Sequence, residues 1–218
     1  MRIPLASYGR RELWLYGTPL VVLSAAVAVT GWYWVSAVFA VLFVGLLGFF
    51  RDPTRRVPEG PRLLVSPADG RVTDVDECDD PELGGVAKRV SIFLSVLSVH
   101  VNRSPCAGRV VSVSYREGKY LNAMKSQSAR ENESNAVVLE SAEVPDVRVR
   151  VKQVAGAIAR RIVCTCSPGD ALERGERIGM IKFGSRTDLC VPVEHLAEVC
   201  VKVGDRVHGG RTIIGVLK

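Results

Sequence analysis

No cysteine in this 218-residue chain belongs to a C-x-x-C pair, although six are present (Cys78, Cys106, Cys164, Cys166, Cys190 and Cys200). That removes the spacing on which most structural zinc sites and dithiol redox motifs rest. Cys164-x-Cys166 would set two thiols on one strand face, with Cys190, His195 and Cys200 as further donors, but scattered thiols of this kind read better as small buried hydrophobes, and no metal is expected. Histidine is equally scarce: His100, His195 and His208 are the only three, so imidazole chemistry has few places to reside. Clusters of Lys and Arg interleaved with aromatics are missing as well. Aromatics make up 6% of the chain and the net charge of +6 is spread along it, which argues against nucleic acid and leaves anionic lipid or a phosphate-bearing substrate as the expected partner. An apolar content of 47% beside 24% charged residues excludes wholesale disorder.

Charge itself is absent from Leu13 to Phe50, a run of 38 residues flanked by Arg10 and Arg11 before and by Arg51, Arg55 and Arg56 after. A secretory signal has an apolar core of only about 7–15 residues, so this run is expected to be retained. As one helix it would reach about 57 Å, nearly twice a hydrocarbon core of about 30 Å. It is therefore predicted to fold back near Thr30-Gly31, with Trp14, Tyr16, Trp32, Tyr33 and Trp34 at the membrane interface and both ends on the cytoplasmic side of the cell membrane, whether the hairpin spans or re-enters. Residues 1–50 are thus an expected helical anchor. Residues 51–62, with Pro53, Pro58, Gly60 and Pro61, are an expected linker. Residues 63–218 are an expected mainly β domain, barrel- or sandwich-like, with strands at Arg71–Val75, Arg89–Leu94, Gly108–Tyr115, Ala136–Leu139 and Val147–Val154. Thiols in a cytoplasmic domain stay reduced.

Two internal echoes indicate that this domain is assembled from related hairpins. The frame S-P-x-x-G-R-V-x-x-V occurs at residues 66–75 and again 38 residues later at 104–113, and G-D-x-[L/V]-x-x-G-x-x-I occurs at 169–178 and 204–213. The first pair contains an informative difference: Asp69 stands where its partner has Ala107, so the backbone frame does not demand a carboxylate there. Asp69 is either an ordinary turn residue or kept for chemistry.

In Leu97-Ser98-Val99-His100-Val101-Asn102 the alternation places His100 with Ser98 and Asn102 on a polar strand face, where an imidazole can be a structural hydrogen-bonding group or a proton carrier. The polar segment from Glu117 through Asn135 reads as a loop or short helix, either a solvated excursion or a lid. An apolar run then stops at Phe183-Gly184-Ser185-Arg186. A Gly-Ser pair can simply close a strand, but a serine hydroxyl after glycine can also reach the carbonyl carbon of its own preceding peptide.

The stretches Ser66-Pro67-Ala68-Asp69-Gly70, Val99-His100-Val101-Asn102-Arg103-Ser104-Pro105, Glu131-Asn132-Glu133-Ser134-Asn135 and Phe183-Gly184-Ser185-Arg186 together resemble those of the phosphatidylserine decarboxylases, especially the short, membrane-anchored proenzymes. The resemblance covers nearly the whole chain, and four motifs in the family's order are specific where Gly-Ser alone is not. It departs from the longer members at Leu97, where they carry a second histidine. The resemblance implies autocatalytic cleavage between Gly184 and Ser185, with His100 as the base and Asp69 orienting it. The upstream and downstream chains would remain associated, and Ser185 would become a pyruvoyl group that takes the substrate amine as a Schiff base, so no external cofactor is needed. It further implies a membrane phospholipid as substrate, phosphatidylserine or an ether-linked analogue, with Arg103, Lys119 or Arg186 as candidate phosphate partners. Oligomeric state is left open, a homo-oligomer included. A soluble-substrate pyruvoyl decarboxylase would share the Gly-Ser site but not the 38-residue apolar run. A non-enzymatic adaptor module of the lipoyl or biotinyl kind would explain the G-D-x-[L/V] frames, but it calls for an acceptor lysine at the hairpin tip, and Gly184-Ser185 lies between the two frames instead.

Overall fold

The computed structural model describes residues 4–121, 131–156, 161–182 and 185–218. Phe183 and Gly184, and the middle of the polar segment after Lys119, lie outside the described residues. Two compact units divide after Thr54, so the expected linker 51–62 is shared between them.

In the first unit the uncharged run forms helices at Thr18–Val29 and Tyr33–Phe49, parted at the predicted break, where Gly31 has φ of +83°. That left-handed conformation suits a residue without Cβ. The helical stretch Ser7–Val29 is, by length and apolar composition, long enough to cross a membrane; Tyr33–Phe49 is shorter. Two hydroxyls in otherwise apolar helices satisfy each other's backbone: Ser24 Oγ donates to Ser36 O at 3.0 Å and Ser36 Oγ to Ser24 O at 2.8 Å. This is how polar groups are accommodated where water is scarce. Trp14, Trp32, Tyr33 and Trp34 are exposed on this unit.

The second unit is mainly β. Its strands are β1 (Leu63–Val65), β2 (Gly70–Asp80), β3 (Gly85–Leu94), β4 (Val101–Arg103), β5 (Gly108–Arg116), β6 (Ser134–Ser141), β7 (Arg148–Val154), β8 (Arg161–Cys164), β9 (Ala171–Leu172), β10 (Arg177–Lys182), β11 (Ser185–Pro192), β12 (Leu196–Val199), β13 (Arg206–Val207) and β14 (Ile213–Leu217). They form an eight-stranded sheet in the order β13-β2-β3-β11-β7-β6-β5-β9 and two three-stranded sheets, β1-β14-β12 and β4-β10-β8. All five strands predicted from periodicity are present, most of them longer than expected. The core gathers alternate residues of the large sheet, among them Val90, Ile92, Leu94, Val149, Val151, Leu189 and Val191.

These orders reveal the repeat in full. Shifting by 38 residues carries β1 onto β4 and β2 onto β5, and shifting by 35 carries β8 onto β12 and β9 onto β13. The eight-stranded sheet is accordingly the same read from either end, with the centre between β11 and β7. Contacts between the copies are reciprocal: Val65 N donates to Pro105 O at 2.8 Å and Arg103 N to Pro67 O at 2.9 Å. Reciprocity of this kind is the signature of a two-fold relation. One repeat consists of β1–β3 and β11–β14, and the other, β4–β10, is inserted into it.

Turn chemistry is repeated too. Ser66 Oγ donates to Ala68 O at 2.7 Å and Ser104 Oγ to Cys106 O at 2.6 Å. A Cβ added at Gly70 or at Gly108 would lie 2.2 Å from a carbonyl oxygen, that of Phe93 or of Glu140 respectively. Gly108→Ala should therefore destabilise the domain by about 1–3 kcal/mol, as overpacking does. Urea unfolding of the full chain in detergent would measure it, and an unchanged midpoint would show that the strands can part there without loss.

Candidate active site

The insertion creates two joints between the repeats, and the sequence motifs of chemical interest fall on both. The first runs from the end of β3 to β4, residues 95–100. Ser98 N donates to Ser95 O at 2.8 Å, so this segment opens as a turn, not as the continuous strand that alternation suggested. Leu97 is 83% exposed, whereas Val99, His100, Val101 and Asn102 are all buried. The alternation was real, but β4 is covered on both faces and therefore shows no core-against-solvent contrast. His100 Nδ1 lies 2.9 Å from Ser98 O. With the proton on Nδ1 donated to that carbonyl, Nε2 carries the lone pair and the ring is a base. The His100 carbonyl accepts from Ile181 N at 3.3 Å, which fixes the imidazole's backbone three residues before Gly184.

The second joint leaves β10 at Lys182 and enters β11 at Ser185. β11 is buried along its whole length and paired on both sides, with Ser185 opposite Leu94 of β3 and Arg186 opposite Val154 of β7. The Ser185 hydroxyl is buried and has no hydrogen-bond partner among the described residues. Such a group costs about 1–3 kcal/mol in lost solvation, which makes it a candidate for chemistry over a stabilising role. A polar layer beside it locks the strands that carry the two motifs: Asn102 Nδ2 donates to Thr187 Oγ1 at 2.9 Å, Gln153 Nε2 to Asn102 Oδ1 at 2.9 Å, and Asn135 Nδ2 to Gln153 Oε1 at 3.2 Å. β4, β6, β7 and β11 are thereby held in one register around Ser185. At the edge of this layer the Cys164 thiol is pulled down to about 6, chiefly by its hydrogen bond to the Cys166 side chain, which outweighs burial.

Asp69 sits in the β1–β2 turn, buried, in different company from that expected. Arg55 Nη2 reaches both of its oxygens, at 2.9 and 2.7 Å; Gly209 N donates to Oδ1 at 2.8 Å; and His208 Nδ1 lies 3.3 Å from Oδ2. The imidazole that meets Asp69 is thus His208, and His100 is oriented by Ser98. The cause is the repeat geometry: Gly210 N donates to Ser66 O at 2.8 Å, which presses the β13–β14 turn against the β1–β2 turn and delivers His208 to the carboxylate. The sequence did hold a signal for this residue. In the second echo His208 stands where the other copy has Glu173, so Asp69 and His208 are departures from the repeat in the same half.

Of the three candidate phosphate partners, two are embedded in the fold. Arg186 is 1% exposed, donates to Asp188 Oδ1 at 2.6 Å and to Ser91 Oγ at 2.5 Å, and has Asp74 Oδ2 at 3.4 Å. Arg103 is buried and donates to Gly175 O at 3.0 Å. Lys119 is at the surface, paired with Glu131 at 2.9 Å. The Glu131–Asn135 motif closes the base of the polar segment here: Asn132 Nδ2 donates to Leu121 O at 2.8 Å and to Ala155 O at 2.7 Å. Among the described residues no group of three or more His, Cys, Asp or Glu side chains could hold a metal ion.

The family model described as phosphatidylserine decarboxylase matches residues 44–215. Similar chains include the phosphatidylserine decarboxylase proenzyme of Rhodopirellula baltica, 45% identical over 213 residues, covering 97% of this chain and 87% of that one. The proenzyme of the same name from Carboxydothermus hydrogenoformans is 44% identical over 219 residues and covers both chains in full. That of Chlorobium chlorochromatii is 48% identical over 178 residues, or 81% of this chain and 82% of its own.

Proposed function

The chain belongs to the phosphatidylserine decarboxylase family, and from that premise we propose that it cleaves itself between Gly184 and Ser185 and then decarboxylates phosphatidylserine, or an ether-linked analogue, to the corresponding ethanolamine lipid and carbon dioxide. The observation that carries this reading is the buried Ser185 hydroxyl at the first position of β11, without a hydrogen-bond partner among the described residues, with His100 fixed on the opposite joint.

In maturation the Ser185 Oγ gives its proton to His100 Nε2 and attacks the Gly184 carbonyl carbon; the amide nitrogen takes a proton as the C–N bond breaks, leaving an ester. Removal of the Ser185 Cα proton expels the Gly184 carboxylate, and hydrolysis of the resulting dehydroalanine releases ammonia. The pyruvoyl carbonyl left at position 185 supplies an electron sink for the loss of carbon dioxide. Pairing of β11 with β3 and β7, of β13 with β2 and of β14 with β1 holds the downstream piece in place after cleavage, so the two chains stay together. His100, on a rigid strand entry, is the group assigned to return a proton to the substrate carbon. Asp69 is retained as a site carboxylate because the copy with the same turn has Ala107 in its place. Lys119, whose ammonium is exposed, is the favoured phosphate partner, and the basic residues flanking the apolar run favour a catalytic unit on the cytoplasmic face of the membrane.

Intact mass under denaturing conditions tests the proposal. Purified protein should give an upstream chain ending at Gly184 and a 34-residue downstream chain with a blocked amino terminus. An uncleaved chain that still decarboxylates the lipid would overturn it.

A further inference from the structure

Between the last apolar helix and the first strand the chain is fastened down. From Arg55 onward it belongs to the β unit, and contacts hold it at several points. Besides the Arg55–Asp69 pair, Val57 fills the space at Gly175, where an added Cβ would lie 2.6 Å from Val57 Cγ2. Arg174 Nη1 donates to Pro58 O at 3.1 Å and to Gly60 O at 2.9 Å. Glu143 pairs with Arg174 and accepts from Arg62 N. From Arg55 onward the segment expected as a linker is a strap on the β unit.

The strap has no counterpart in the other repeat. Thirty-eight residues beyond Arg55 stands Phe93, inside β3, and thirty-eight beyond Asp69 stands Ala107. The guanidinium is therefore added only in the half that has a carboxylate to hold. Both side chains are 12% exposed, so water and salt screen their attraction weakly. Arg55 straddles both oxygens, while Gly209 N and His208 take one each. Without Arg55, the buried carboxylate would be held by one backbone N–H and by a histidine side chain that is 40% exposed. It would then be free to turn about Cβ–Cγ.

We propose that Arg55 is a positioning residue of the self-cleaving site, fixing from the juxtamembrane strap the orientation of the Asp69 carboxylate and of the His208 turn bound to it. This rests on the assignment of Ser185 and Asp69 above. The turn that carries Asp69 meets the strand that follows His100, since Pro67 O accepts from Arg103 N at 2.9 Å, and the neighbouring Asn102 donates to Thr187 of β11 at 2.9 Å, so the Arg55–Asp69 pair braces the segment that holds the base against the one that holds Ser185; Arg55 itself touches no reacting atom. Misplacement of a site group by about 1 Å can slow a reaction by about a hundredfold.

The test follows formation of the 34-residue fragment by mass after cell-free synthesis of the full chain into detergent or liposomes. Arg55→Ala should cleave about ten- to a hundredfold more slowly than wild type. Arg55→Lys should recover part of that rate, and millimolar guanidinium should speed the alanine variant while leaving wild type unchanged. Cleavage of Arg55→Ala at the wild-type rate would overturn the positioning role. So would a slow Arg55→Ala that neither lysine nor guanidinium restores and whose thermal midpoint has fallen, because that pattern belongs to a residue serving stability alone. Arg174→Ala, which loosens the strap without touching Asp69, separates the two further: it should lower the midpoint and leave cleavage within about threefold of wild type, well short of the Arg55→Ala loss. A wild type left whole at 184–185 would overturn the underlying assignment as well, whereas normal wild-type cleavage beside an indifferent Arg55→Ala removes the role of Arg55 only.

Discussion

Ser185→Ala protein should remain a single chain of 218 residues with no measurable decarboxylase activity, and it should be at least as stable as the wild-type precursor. The two halves of this expectation have one cause. Removing a hydroxyl usually forfeits a hydrogen bond, but the Ser185 oxygen is buried and makes none among the described residues, so alanine deletes an unmet solvation demand and no described hydrogen bond. The methyl side chain stays within the space already provided in β11, whose pairing with β3 and β7 runs through backbone groups that the substitution leaves alone. Loss of cleavage without loss of stability therefore isolates the nucleophile. Denaturing electrophoresis with intact mass reads the first, and a thermal or urea midpoint in detergent reads the second. A variant that still splits at 184–185 would remove Ser185 from the mechanism.

His100→Ala is expected to slow self-cleavage by about 10²–10⁴-fold, the usual contribution of a positioned general base. Here the fold is at some risk, since a buried ring is replaced by a void, and His100→Gln is the better-packed companion: its amide can still donate to Ser98 O but cannot accept the serine proton. Both variants should accumulate the whole chain, and imidazole in the buffer should restore part of the rate in the alanine variant. If both cleave normally, the base lies elsewhere, and His208 on Asp69, at 3.3 Å, becomes the residue to substitute next.

What could be read from the sequence followed the strength of local signals. The apolar run, its break at Gly31 and five of the six strands of seven or more residues were legible from periodicity and composition, whereas β11, buried on both faces, shows no alternation. The echo at 66–75 and 104–113 disclosed the duplication, and its matched Gly70 and Gly108 prove to be close backbone approaches in the same register. The small sheets β4-β10-β8 and β1-β14-β12 were not legible, because their strands are three to six residues long and owe their existence to pairing with distant segments. The site was legible by residue type and less so by connection. Asp69 and His100 each stood out, but which imidazole meets which acceptor depends on how two turns are pressed together, and nothing near Asp69 in sequence announces His208. Arg186 is one of three candidate phosphate partners by residue type alone; strand alternation sends it to the face opposite Ser185, where Asp188, Ser91 and Asp74 claim it. Arg55 is legible only as one of the basic residues that flank the apolar run, since a linker-like composition of proline and charge says nothing about what a single guanidinium will touch.

The insertion of β4–β10 between β3 and β11 also bears on what the proposed cleavage at 184–185 would do to the folded state. Until then, loss of structure is a one-body event that depends on temperature and solvent alone. Afterwards the same interlocked sheets are shared by two polypeptides, and losing them ends in separation, so the melting point acquires a dependence on protein concentration that the precursor lacks. β12 and β13 are edge strands, but β11 is inner to the large sheet and paired on both sides, so the shorter piece cannot leave strand by strand from an edge. Its departure requires the whole unit to open, and the mature assembly is then protected by a rate of opening as much as by an equilibrium.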